Sequence, residues 1–93
     1  MFERELRRFR HAVRTEQYDL RLHAFEELEA DGFSVLDLES CVLTGLIVER
    51  QRDFRTGEWK YVIAGSALDG SSVTLVAKWI ATGRMIVLTV FRT

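Results

Sequence analysis

This chain of 93 residues has no proline, one cysteine and only two histidines. Each scarcity removes a class of answer. A lone Cys41 cannot form an internal disulfide, and no Cys/His spacing suits zinc, so neither a stapled scaffold nor a metal-held fold is expected. Without proline or a low-complexity stretch, and with six glycines placed where elements should end, there is no linker to divide the chain. A single domain over residues 1–93 is expected. Nothing at the N-terminus resembles a signal peptide, so a cytoplasmic protein without cofactor, metal or membrane association is expected. A formal net charge of −1 argues against a protein that coats nucleic acid.

With 47% hydrophobic and 29% charged residues the composition is that of a globular protein with one modest core. The charge is unevenly placed. Arg4, Arg7, Arg8, Arg10 and Arg14 meet two acids in the first fourteen residues, whereas residues 16–39 carry eight acids against Arg21 alone. Basic side chains return at Arg50.

Phe2, Leu6, Phe9 and Val13 recur at helical spacing, which predicts an amphipathic helix over about 2–15 with Arg4, Arg7, His11 and Arg14 on its outer side. A second helix over about 23–31 should bury Ala24, Phe25 and Leu28 and stop at Gly32. A third over about 35–44 begins on the capping-box-like pair Ser34 and Asp37, buries Val35, Leu38 and Val42, and ends at Gly45. Cys41 reads as an inert core thiol. After Gly45 the pattern becomes extended, with strands expected at about 46–54, 59–65, 72–80 and 85–92. The short glycine-bearing breaks between them predict successive hairpins. The expected fold is α+β, with two to three N-terminal helices on one face of a four-stranded antiparallel meander. Trp59 and Trp79 are assigned mainly to the core.

One segment points to chemistry. His23 and Glu27 stand four apart, which puts them on one helix face, where the carboxylate can orient the imidazole.

The run His23-Ala24-x-x-Glu27 through Asp31-Gly32-Phe33, the helix end Leu43-Thr44-Gly45, the strand Tyr61-Val62-Ile63-Ala64-Gly65 and the closing Ile86 to Arg92 together resemble the domain of unknown function 4258 family of small bacterial proteins. The likeness extends from about Tyr18 to Thr93, and Phe2 to Val13 fits the leading helix of many members. Members look like relatives of RelE-type and BrnT-type toxins of toxin–antitoxin pairs, which cut RNA without metal. The resemblance implies that fold and that activity. It matches His23 to the family's helix histidine, Thr89 to its near-terminal threonine and Arg92 to the basic residue after the final aromatic. Glu27 and Asp31 depart from the arginines of many members, and Thr74 stands where many have histidine.

Metal-independent RNA cleavage needs a base for the ribose 2′-hydroxyl, cations on the charged phosphorus and an acid for the leaving oxygen. On this reading His23 is the acid/base, Glu27 orients it, and Tyr61 and Thr89 stand nearby. Arg50, Arg52, Lys60, Lys78, Arg84 and Arg92 are the candidates for phosphate contact. The partners implied are a cognate antitoxin and RNA or the ribosome, with homodimerisation through a free strand edge compatible with every reading. The alternative is a non-catalytic module of the same fold that binds another protein through its leading helix or an exposed strand edge.

Overall fold

The computed structural model describes residues 1–93. Its elements run α1 (Glu3–Arg14), β1 (Tyr18–Leu20), α2 (Leu22–Ala30), α3 (Val35–Thr44), β2 (Leu46–Arg52), β3 (Trp59–Ser66), β4 (Ser72–Trp79) and β5 (Met85–Arg92). From β2 to β5 each strand pairs antiparallel with the next. The hairpins follow from local chemistry. Gly57, Gly70 and Gly83 take positive φ in the three turns, and the carboxylates of Asp53 and Asp69 accept backbone N–H bonds from Arg55 and Ser71.

The sheet is nevertheless five-stranded and mixed, in the order β1-β5-β4-β3-β2. This corrects the expected four-stranded, wholly antiparallel sheet. β1 pairs parallel with β5, setting Tyr18 against Met85 and Leu20 against Val87. Three residues are too few to show a strand period, and a parallel partner some 67 positions away leaves no local mark. β1 is held by side chains as well: Arg84 donates to both carboxylate oxygens of Asp19 at 2.9 and 3.0 Å, and Tyr18 Oη donates to Glu39 at 2.6 Å. The Arg84 guanidinium keeps the Asp19 carboxyl below its ordinary range.

Alternation along the strands turns Tyr61 and Ile63, Val73, Leu75 and Ala77, and Met85 and Val87 into the core, and a register shift between β4 and β5 at Leu88 brings Val90 inward as well. The helices answer with Leu6, Phe9, Ala12 and Val13, with Ala24 and Leu28, and with Leu38, Cys41 and Val42. Phe25 is 40% exposed and Val35 39% exposed, against the expectation that both would be buried. Each lies at the margin of its helix's buried face, and the short helices α2 and α3 turn only Ala24 and Leu28, or Leu38, Cys41 and Val42, fully inward. Trp59 is also placed outside the core, because it opens β3 beside the edge strand.

Backbone meets backbone between α3 and β3. A Cβ on Gly65 would stand 2.2 Å from the carbonyl oxygen of Cys41, and one on Gly45 would stand 2.4 Å from that of Ala64. Gly65 lies inside β3 and is glycine because two backbones meet there, not because an element ends. Arg10 fastens α1 to the same corner, donating to the carbonyls of Val42 at 3.2 Å and Gly45 at 3.0 Å, which the end of α3 leaves without helical partners. Burial pushes the Cys41 thiol up to about 11, so it stays protonated near neutral pH.

Replacing Gly65 by alanine should force α3 off the sheet and destabilise the protein by about 3 kcal/mol or more. Urea unfolding followed by circular dichroism reads this directly. A midpoint unchanged from wild type would show that the contact yields freely.

Candidate functional site

β5 is eight residues long, but β1 covers only its first three. Beyond Val87 the outward N–H groups of alternate residues need acceptors that no strand supplies. α2 supplies them. Arg21 N–H reaches the Val87 carbonyl at 3.1 Å, after which Glu27 Oε1 accepts from Val90 N–H at 3.2 Å and Asp31 Oδ2 accepts from Arg92 N–H at 3.1 Å. The spacings agree: four residues of helix rise about 6 Å, and two residues of strand advance about 6.8 Å. Glu27 and Asp31 thus stand in for a missing strand.

The same Glu27 oxygen gathers two more of the candidate residues. Thr89 Oγ1 donates a hydrogen bond to Oε1, and His23 Nε2 lies 3.4 Å from it. The His23 side chain is 72% exposed and that of Glu27 29%. An open imidazole beside a fixed carboxylate can exchange a proton with a ligand or with water.

The other candidates lie elsewhere. Arg92 donates from Nη2 to the Asp31 carbonyl at 2.8 Å and packs over the Phe33 ring at 4.4 Å, about 12 Å along α2 from His23. Tyr61 is buried, edge-on to Phe9 at 5.4 Å and Phe2 at 6.3 Å. Lys78 Nζ is paired with Glu58 at 3.0 Å, and that hydrogen bond holds the Glu58 carboxyl below its ordinary range. Lys60 faces Lys78 across the β3–β4 ladder. Arg50 and Arg52 stand on β2, three strands and about 14 Å from β5. Thr74 is buried, its Oγ1 3.2 Å from that of Thr93.

Arg50 and Arg52 belong to a second cluster. Their guanidinium carbons sit 4.0 and 5.0 Å from the ring centroid of Trp59, which is 37% exposed. At the same end of the sheet Arg8 lies 3.8 Å over Trp79, which stacks on Phe9 at 4.6 Å. A guanidinium held flat on an indole is pre-oriented and keeps its edge N–H groups free for an anion. Trp79 packs partly buried against the core as expected, whereas Trp59 departs from that expectation; the signal at Trp59 was the interleaving of Arg50, Arg52, Trp59 and Lys60. Residues 40–93 carry seven basic and four acidic side chains, so with α1 this half is cationic while α2 and α3 are acidic.

No group of three or more His, Cys, Asp or Glu side chains is placed to hold a metal ion, and no helix is long and apolar enough to cross a membrane.

Glu27→Ala should cost about 1–3 kcal/mol of stability, because Val90 N–H and the Thr89 hydroxyl lose their acceptor. Glu27→Gln retains an oxygen there and should cost under ~1 kcal/mol. Equal losses in urea unfolding would show that the carboxylate's charge, not its accepting oxygen, is what matters.

Among known proteins, no curated sequence and no solved structure matches the chain. A family model described as Domain of unknown function (DUF4258) matches residues 20–92, from the end of β1 to the end of β5. The matched span holds His23, Glu27, Thr89 and the whole meander, and leaves α1 outside. The chain belongs to the DUF4258 family.

Proposed function

We propose that this protein binds single-stranded RNA on the surface formed by α1 and the outer ends of β2, β3 and β4. It is then the toxin component of a bacterial toxin–antitoxin pair, with a RelE-like arrangement of helices on sheet. The observation that carries the reading is the stacking of Arg50 and Arg52 on Trp59, with Arg8 on Trp79 beside it. Fixed guanidinium edges suit phosphate, and their planes and the exposed indole suit unstacked bases. A net charge near zero does not oppose this, since the acids are concentrated in residues 16–39. Metal-independent cleavage, as an endoribonuclease acting on messenger RNA, falls to His23 as acid/base with Glu27 and Thr89 fixing its setting. The protein would act in the cytoplasm, restrained by a cognate antitoxin and meeting RNA free or on the ribosome.

One observation favours the second reading, a non-catalytic interaction module of the same fold. No arginine or lysine pairs with the His23–Glu27–Thr89 group, so nothing there neutralises a pentavalent phosphorus.

RNA binding and cleavage are measured together, by anisotropy of a labelled single-stranded RNA and by gel analysis of an intact messenger. Arg50→Gln with Arg52→Gln should weaken binding about tenfold or more and lower the salt slope by about 0.7 per lost phosphate contact. His23→Ala should leave binding unchanged and abolish cleavage and growth arrest. Cleavage that survives His23→Ala removes that residue from the chemistry. Wild-type protein that binds no RNA at low salt leaves the module reading in its place.

A further inference from the structure

The two edges of the sheet are finished differently. At the β5 edge, β1 and the carboxylates of Glu27 and Asp31 take the outward backbone groups. At the other edge β2 pairs with β3 on one side, and no backbone group of Leu46–Arg52 makes a backbone bond on the other. An uncovered strand edge is a template for pairing, and the register shift that β2 makes between Ile47 and Glu49 interrupts this one only at Val48.

This edge carries a pattern. At its start, a cavity of about 360 Å³ opens between Phe2 and Leu6 at the beginning of α1 and Leu46, Ile47 and Val48 of β2. Leu46 is 65% exposed and Val48 60%. Further along, Arg50 and Arg52 both lean over Trp59, and Arg50 also lies 5.4 Å from the Phe2 ring, so the two cations and the cavity share the helix-side face. Glu49 and Gln51 bond each other at 2.7 Å and occupy the opposite face. Side chains of an added strand that point to one face recur at every second residue. In β2 the extra residue Val48 keeps Ile47 on the face of Arg50 and Arg52, so a single extended segment laid along Ile47–Arg52 runs from the cavity to the two arginines.

We propose that β2 takes an added antiparallel strand from a partner protein, of the pattern acid-x-acid-x-apolar. Its acids lie beside Arg52 and Arg50, and its apolar side chain enters the cavity between α1 and β2. Antiparallel addition continues the direction already alternating through β2 to β5 and gives the more stable ladder. Backbone bonds supply affinity, and the order of charge and apolar groups supplies direction. A second copy of this chain is a poor occupant, because two β2 strands paired antiparallel about their centres would set Glu49 against Glu49. On the α1 side the cavity is lined by Phe2 and Leu6, which lie outside the residues 20–92 that the family model matches. The proposal stands whether or not the protein cuts RNA.

The probes are two synthetic eight-residue peptides: one with acids at positions one and three and leucine at five, the other with the same residues in reverse order. Amide chemical shifts of the full-length protein are followed on titration. The forward peptide should saturate with shifts confined to β2 and the start of α1, and should bind at least tenfold more tightly than the reverse. Leu46→Gln with Val48→Gln, both at exposed positions and neutral, should weaken this binding at least tenfold and leave RNA affinity unchanged, which separates the edge from the RNA reading. Equal binding of both peptides would reduce the effect to unspecific charge and overturn the proposal. So would the absence of saturable binding, whether the protein sediments as a monomer or as a dimer that the double variant dissociates.

Discussion

The arrangement of this protein depends on how the exposed half of β5 is satisfied. A strand whose neighbour stops after three residues leaves backbone donors that must find acceptors. Here the acceptors are two carboxylates one helical turn apart. Glu27 and Asp31 dock α2 along the strand, which fixes the direction of the helix, turns Ala24 and Leu28 inward and sets His23 beside Thr89. The candidate acid/base group is thus a by-product of closing an edge, and its carboxylate serves the fold before it serves any chemistry. Because this edge is closed, β2 is the edge left for a partner.

The functional features separate into two regions. Around α2 lie a histidine, a threonine and a concentration of acids. Around α1 and the ends of β2, β3 and β4 lie arginines stacked on tryptophans, next to an apolar cavity. On the proposed function, RNA binding falls to the second region and proton transfer to the first. An RNA that used both would have to cross the sheet, whereas a partner strand along β2 would contact Arg50 and Arg52 and so compete with RNA for them.

Much of the fold was legible because its signals are local. Gly57, Gly70 and Gly83 mark turns that need a positive φ, Ser34 and Asp37 form the capping box their spacing predicts, and the four long strands read from their own residues. What escaped is tertiary. β1 is too short to have a period, and its parallel partner lies at the other end of the chain. Gly65 looks like an element end until α3 is laid on β3. Phe25 and Trp59 are apolar by type and exposed by position. Of the site, the His23–Glu27 pair followed from helical spacing, and Thr89 came from resemblance. That Glu27 would accept from Val90, and that Arg8 would lie on Trp79, depends on which strand ends where. Asp31 read as a lost cation when it is an acceptor in use.

Amide hydrogen exchange of wild-type protein at Val90 and Arg92 tests the central claim most directly, set against the outward amides of β2. The account expects slow exchange at Val90 and Arg92, fast exchange along the outer side of β2, and loss of protection at Val90 and Arg92 alone when Glu27 and Asp31 are both replaced by alanine. Exchange at Val90 and Arg92 as fast as at the β2 edge would contradict it, since α2 would then lie beside β5 without closing it.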